Sequence, residues 1–167
     1  MPQDFSFDVV SEFDRQELIN AIDQTTREVQ TRYDLKDSGS ELELEANSIT
    51  LRSASEFTAK AVTDVLLGKL VRRGLSPKIL DFGKFEDATK GTVRQTINLR
   101  KGLSQEMAKE ITKLVRDDNP KLKTQIQGDA VRITGRSKDE LQRAIQILRR
   151  AEDERNWVTP LQFNNYR

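Results

Sequence analysis

The order of predicted secondary structure constrains the fold more than any other feature, because the same order occurs twice. In the first half, apolar and polar residues alternate as in half-buried strands over four segments: 5–9, 41–45, 49–52 and 78–82. Helical spacing of apolar residues follows Asp14 and Ser55, which are residue types preferred at helix N-caps. The first half is therefore predicted to run strand, helix, strand, strand, helix, strand.

The second half repeats this order. Strands are predicted at four segments: 92–99, 122–127, 130–134 and 161–165. Ser104 starts one helix and Ser137 another, the latter in a capping box with Glu140. Residues 83–91, with two glycines and mixed charges, are predicted to link the halves. We therefore expect an α+β protein with two tandem βαββαβ units, each an antiparallel sheet covered by helices on one face.

The residue types that are missing exclude several classes of catalytic site. The chain has no histidine and no cysteine, so the commonest general base, the thiolate nucleophile and the best soft metal ligands are absent. No serine lies in a nucleophile elbow, and no glycine-rich loop ends in Gly-Lys-Ser/Thr. We expect no enzyme, no cofactor and no bound metal. A phosphoesterase that uses carboxylate-bound metal is the enzymatic alternative.

Composition also predicts the compartment. Charged residues make up 33% of the chain and are spread along it, which is typical of a globular protein. No apolar run reaches the roughly 18 residues of a membrane span, and we expect no secretory leader before the first strand. The absence of cysteine fits a reducing environment. We therefore expect a cytoplasmic protein without a membrane partner.

The net charge of +1 conceals a difference between the two halves of the sequence. Residues 1–91 carry 12 Lys+Arg and 17 Asp+Glu, a net charge of −5. Residues 92–167 carry 16 and 10, a net charge of +6. Such a contrast is typical of proteins with an anionic partner, and it predicts that the anion binds the C-terminal half.

Alternation within the C-terminal strands places polar side chains on the face of the sheet that no helix covers. Four candidate nucleotide-binding residues lie on this face: Lys123, Gln125, Gln127 and Arg132. Amides suit the edges of bases and cations suit phosphates. Thr134, Gln162 and Asn164 complete this face, which we call the platform. A polar face that serves solubility alone is the alternative, and the platform lacks the stacking aromatics of RNA-recognition modules.

Two further candidate residues, Arg100 and Lys101, precede the helix that starts at Ser104. Free backbone N–H groups and the helix dipole favour an anion at such a position. Residues 135–138 repeat the arrangement. In both places a capped helix with basic flanks is the alternative. Near the C-terminus, Trp157 and Tyr166 either stack on a base or anchor the tail by packing on the body of the protein.

Six segments are distinctive and follow one another along nearly the whole chain. They are 6–12 (SFDVVSE), 20–24 (NAIDQ), 33–36 (YDLK), 125–135 (QIQGDAVRITG), 139–142 (DELQ) and 160–167 (PLQFNNYR). Together these segments closely resemble the bacterial YajQ family. The sequence departs from many members at 33–36, where they have a Phe-Asp-Phe run, and shows a local variation at 152–156.

The resemblance implies two ferredoxin-like domains that exchange their first strands. The N-terminal domain would span 11–100 and include the exchanged strand 92–99. The C-terminal domain would combine 1–10 with 101–167, so that Asp8 joins the platform. The resemblance also implies a nucleotide ligand, with cyclic di-GMP and RNA as candidates, but it supplies no established set of binding residues.

The predicted function is that of a cytoplasmic, non-enzymatic bacterial protein. It is expected to bind a guanine nucleotide such as cyclic di-GMP, or RNA, through its C-terminal half. The alternative is a protein-interaction adaptor without a dedicated nucleotide site. In that case the acidic and basic halves would dock different protein partners.

Overall fold

The computed structural model describes residues 4–167, in which eight strands and four long helices occur. The strands are β1 (Phe5–Val10), β2 (Glu41–Leu44), β3 (Ser48–Ser53), β4 (Leu80–Asp87), β5 (Val93–Leu99), β6 (Lys123–Gln127), β7 (Ala130–Gly135) and β8 (Gln162–Asn164). The helices are α1 (Arg15–Thr31), α2 (Glu56–Arg72), α3 (Gln105–Asp118) and α4 (Lys138–Glu154). Each helix begins directly after the N-cap residue predicted for it.

Side chains satisfy backbone N–H groups in the first turn of three helices. Asp14, Ser55 and Ser104 each accept a hydrogen bond from the first turn of the helix that follows. Ser137 makes no such bond, so the capping box predicted between Ser137 and Glu140 is wrong. The start of α4 therefore keeps backbone donors that its own N-cap side chain does not use.

The first strands of the two halves are exchanged. One sheet has the strand order β2-β3-β5-β4, and the other has the order β6-β7-β1-β8. β1 pairs on both sides, with Phe7 opposite Ile133 of β7 and Val9 opposite Phe163 of β8. β5 holds the equivalent central position between β3 and β4. These two sheets confirm the α+β class, the tandem βαββαβ units and the exchange.

The exchange divides the chain into two units that are not continuous halves of the sequence. The N-terminal unit is Phe13–Arg100, and the C-terminal unit joins the segment through Glu12 to Lys101–Arg167. Each unit has its own apolar core, in which exchanged strands supply central side chains. Phe7 of β1 and Ile97 of β5 are both fully buried, in the C-terminal and N-terminal cores respectively.

The segment predicted as a linker, 83–91, is strand over five of its nine residues and lies within the N-terminal unit, so that prediction is wrong. β4 continues to Asp87, with a register shift between Phe82 and Phe85 that marks a bulge. At Gly83 a Cβ atom would lie 2.7 Å from the carbonyl oxygen of Thr96, too close for any other residue. The glycine that suggested a linker is needed because a neighbouring backbone approaches this strand closely.

The charge difference between the halves of the sequence is not a difference between the folded units. The N-terminal unit carries 14 Lys+Arg and 14 Asp+Glu, and the C-terminal unit carries 14 and 13. The exchange brings Asp4, Asp8 and Glu12 to the C-terminal unit and keeps Arg94 and Arg100 in the N-terminal unit. A site for an anionic partner is therefore expected only where charges cluster locally.

We expect Phe7→Ala to lower the free energy of unfolding of the C-terminal unit by about 3–5 kcal/mol, because the substitution leaves a cavity in the middle of that core. Trp157, the single tryptophan, is buried in the same core. Urea unfolding followed by Trp157 fluorescence measures the change.

Phe57→Ala is the matched control, because Phe57 is 83% exposed and its removal should change stability by no more than about 0.5 kcal/mol. If the urea midpoint reported by Trp157 fluorescence were the same in Phe7→Ala and in the parent chain, β1 would not belong to the C-terminal sheet in solution.

Candidate functional site

Four of the six candidate residues lie together on the open face of the C-terminal sheet. Strand register places Gln125 of β6 opposite Arg132 of β7, and Lys123 opposite Thr134. Lys123, Gln125 and Gln127 are exposed, whereas Arg132 is half-buried. The exchanged strand β1 adds Asp8 beside Arg132.

Arg132 does not present a free positive charge, because Asp8 neutralises it. Its Nε and Nη2 atoms donate to the two carboxylate oxygens of Asp8 at 2.9 and 3.3 Å, and the side-chain amide of Asn165 donates to the same carboxylate at 2.8 Å. The hydrogen bond from Arg132 lowers the pKa of Asp8, although burial of the carboxylate opposes that shift. The pair fixes β1 to β7 across the platform.

The two candidates that precede α3 do not join the platform residues. Arg100 belongs to the N-terminal unit, where its guanidinium donates to the carbonyl oxygens of Lys78 and Leu80 and lies 3.3 Å from a carboxylate oxygen of Asp81. Lys101 is exposed and belongs to the C-terminal unit. Arg100 thus holds the start of β4, a role that its position before a helix did not indicate.

A cationic cleft of about 510 Å³ opens beside the platform, where β7 ends and α4 begins. Its lining residues are Asp4, Lys121, Lys123, Thr134, Gly135, Arg136 and Glu140. Lys121, Lys123 and Arg136 are exposed, and no ion pair within residues 4–167 engages them. Three unpaired cations therefore face one cleft, next to the uncapped N–H groups at the start of α4.

A second cavity, of about 330 Å³, also borders the first turn of α4 and is mostly apolar. We call it the aromatic pocket; its lining residues are Phe5, Ser6, Lys138, Leu141, Gln142, Tyr166 and Arg167. Lys138 places its ammonium 5.2 Å from the centre of the Phe5 ring. The backbone of Arg167 exchanges two hydrogen bonds with Ser6, at 3.1 and 3.0 Å, which holds the C-terminal tail along β1.

The cationic cleft and the aromatic pocket are adjacent, since Asp4 and Arg136 line one while Phe5 and Lys138 line the other. Prediction from sequence found part of this arrangement, through Lys123 and through the basic residues at 135–138. It missed Lys121 and Phe5. Lys121 and Lys123 are two residues apart in a strand-like segment, and this spacing could have shown that they lie near each other. The place of Phe5 could not be found in this way, because it depends on the strand exchange.

The described residues contain no convergent metal ligands and no membrane-spanning helix. Between residues 4 and 167, no group of three or more aspartate and glutamate side chains could hold a metal ion. None of the helices in that range is both long and apolar enough to cross a membrane.

Comparison with known proteins places the chain in a family. The family described as nucleotide-binding protein YajQ-like matches residues 5–167. The chain belongs to the YajQ-like family. A "Nucleotide-binding protein" of Prochlorococcus marinus is 54% identical over 167 residues, and one of Chloroflexus aggregans is 53% identical, each covering 100% of both chains. A third, of Trichodesmium erythraeum, is 56% identical over 162 residues, 97% of both chains. The resemblance to the YajQ family is confirmed.

We expect Asp8→Asn to lower the free energy of unfolding by about 1–3 kcal/mol at pH 7, because Arg132 loses a charged partner at a mostly buried site. The folded-state pKa of Asp8 is lowered, so the ionised carboxylate stabilises the fold above its usual pKa of about 3.9. That stabilisation is lost as the pH falls through the folded-state pKa.

Urea unfolding at pH 7 and at about pH 3 measures the effect, and the difference between Asp8→Asn and the parent chain should shrink at the lower pH. Glu12→Gln, at an exposed carboxylate of the same unit, is the control. If Asp8→Asn lowered the free energy of unfolding equally at both pH values, the Asp8–Arg132 charge pair would contribute nothing to stability.

Proposed function

We propose that this YajQ-like chain is a cytoplasmic, non-catalytic receptor for a guanine nucleotide, with cyclic di-GMP as the leading ligand. The site that we propose combines the cationic cleft, the aromatic pocket and the exposed part of the platform. The observation that carries the proposal is the convergence of three unpaired cations beside an aromatic cavity in one small region. The name "Nucleotide-binding protein" of several relatives supports a nucleotide ligand without naming the base.

The phosphate would lie in the cationic cleft. Lys121, Lys123 and Arg136 supply the positive charge, and Arg136 offers the planar fork that binds phosphate oxygens in pairs. Because the Ser137 side chain does not cap α4, backbone N–H groups of the first turn are available as further donors. Asp4 and Glu140 lie in the same cleft and limit how much negative charge it accepts.

The base would enter the aromatic pocket. Phe5, Leu141 and Tyr166 supply the apolar surface against which a base packs. Arg167 and Lys138 offer donors, and guanine presents two acceptors, O6 and N7, on one edge. A cation at this edge favours guanine over adenine, which presents a donor next to N7.

The platform would extend the site along the open face of the sheet. Gln125 and Gln127 follow Lys123 on the same face of β6, where their amides can bind a second base or a ribose. A cyclic dinucleotide has two bases, which is why we favour it over a mononucleotide. Arg132 would act through Asp8, by fixing β1, because its charge is already neutralised. Arg100 and Lys101 line neither cavity and are left out of the proposed site.

A protein-interaction adaptor is the second candidate function. The opposed charges of the two halves no longer support it, because the folded units carry almost equal charge. Exposed aromatic side chains of the N-terminal unit do support it: Tyr33 is 90% exposed and Phe57 is 83% exposed. In this alternative, a protein partner would cover these aromatics and nucleotide would have no effect on the chain.

Calorimetric titration with cyclic di-GMP, GTP, ATP and a short single-stranded RNA tests the proposal. We expect a guanine ligand to bind, and Lys123→Ala and Arg136→Ala each to weaken its binding about tenfold by removing a charge-assisted hydrogen bond. Lys113→Ala, at an exposed lysine of α3 in the same unit, is the control and should bind like the parent chain.

The outcomes separate the two functions. Binding of RNA alone, lost steeply as salt is raised, would indicate a general phosphate surface rather than a nucleotide receptor. Absence of binding for all four ligands would contradict the proposal and favour the adaptor. Equal losses in Lys113→Ala and Lys123→Ala would show that the cationic cleft is not the site.

A further inference from the structure

Three of the four edge strands are protected against pairing with another chain. β2 carries alternating glutamates, β4 has a bulge and four charged residues, and β8 is only three residues long. Charges, bulges and short length are the usual ways in which edge strands avoid pairing with other chains. The fourth edge strand, β6, has none of these features after Lys123.

β6 also presents backbone N–H and carbonyl groups that are free to pair with another strand. The two residues between β6 and β7 form a turn, so Gln127 and Ala130 close the hairpin as a hydrogen-bonded pair. Alternation then makes Gln125 bond to β7 as well, while Thr124 and Ile126 direct their N–H and carbonyl groups away from it. Ile126 is 43% exposed, which is high for this residue type within a strand.

We propose that β6 is an interface for a second copy of this chain, in which two β6 strands pair antiparallel about Gln125. The C-terminal sheets of the two copies would then join into one continuous sheet, with the two-fold axis passing through the Gln125 pair. In this register Thr124 lies opposite Ile126 of the partner subunit. Both residues direct their backbone groups outward, so the hydrogen-bond pattern of the two edges matches.

The sequence of β6 is self-complementary in this register, which is why a second copy is the occupant. Thr124 and Ile126 of the partner subunit form a β-branched cross-strand pair, and Lys123 meets the partner's Gln127. No like charges face each other. The same register for β2, centred on Glu43, would place glutamates opposite glutamates, and that edge is excluded.

The interface is small, so the association is weak. Two five-residue strands bury less surface than the 1,200–2,000 Å² or so that is typical of stable complexes. We expect a dissociation constant between about 10 μM and 1 mM, in the range of transient complexes. The interface uses the backbone edge of β6, whereas the proposed nucleotide site uses side chains of the same strand, Lys123, Gln125 and Gln127. Self-association is therefore measured in the absence of nucleotide.

Sedimentation velocity of the full chain, from about 10 μM to 1 mM, tests the proposal with a pair of charge variants. Gln125→Glu and Gln125→Lys each place like charges at the two-fold axis, and each should weaken self-association at least tenfold. An equimolar mixture of the two variants should associate at least as strongly as the parent chain. Gln30→Glu, at an exposed position of α1, controls for the added charge.

Ile126→Pro tests the backbone contact separately. It removes an outward N–H while keeping the bonds of β6 to β7, and proline is tolerated on edge strands. We expect it to weaken self-association at least tenfold, with the Trp157 fluorescence and circular dichroism of the parent chain showing that the fold persists.

Three results would overturn the proposal. The parent chain could remain monomeric at about 1 mM, which would remove a second copy as the occupant and leave a strand of another protein. Gln125→Glu could self-associate like the parent chain, which would place the contact elsewhere. The mixture of folded Gln125→Glu and Gln125→Lys variants could fail to associate, which would exclude the register about Gln125.

Discussion

The pairing of β1 with two strands from the far end of the chain is the interaction on which the rest of the structure depends. Phe7 and Val9 are fully buried in the C-terminal core, between β7 and β8. Without β1, the C-terminal sheet would lack its central strand and β8 would have no partner on either side. This pairing brings together residues from the two ends of a very long loop, and closing that loop costs conformational entropy. Burial of apolar side chains in the core offsets the cost.

The candidate site follows from this pairing. Asp4 and Phe5 reach the start of α4 only because β1 lies next to β7, where Phe5 is opposite Gly135. The last residue, Arg167, is held by the backbone of Ser6 at the same place. Residues 4–6, residues 166–167 and the start of α4 thus form the cationic cleft and the aromatic pocket together. The Asp8–Arg132 pair and Asn165 fix this arrangement from the open face of the sheet.

Local structure could be predicted from the sequence because it depends on local patterns. All four N-cap residues were found, since Asp14 and the three serines precede helically spaced apolar residues. The exchange of strands could not be derived from periodicity, because β1 and β5 alternate alike and either would fit either sheet; only the family resemblance implied it. Gly83 suggests a linker in the sequence because a bulge and a loop use the same residue types. The pairing of Arg132 with Asp8 and the use of Arg100 within the N-terminal unit are tertiary contacts that no local pattern contains.

We propose that the exchanged strand β1, the start of α4 and the C-terminal tail form one nucleotide site. Nuclear magnetic resonance of the isotopically labelled chain, titrated with cyclic di-GMP, tests it residue by residue. We expect the changes in amide chemical shift to concentrate at 4–8, 121–125, 134–142 and 165–167, with little change elsewhere. Shifts concentrated in Phe13–Arg100, or none at saturating ligand, would contradict it.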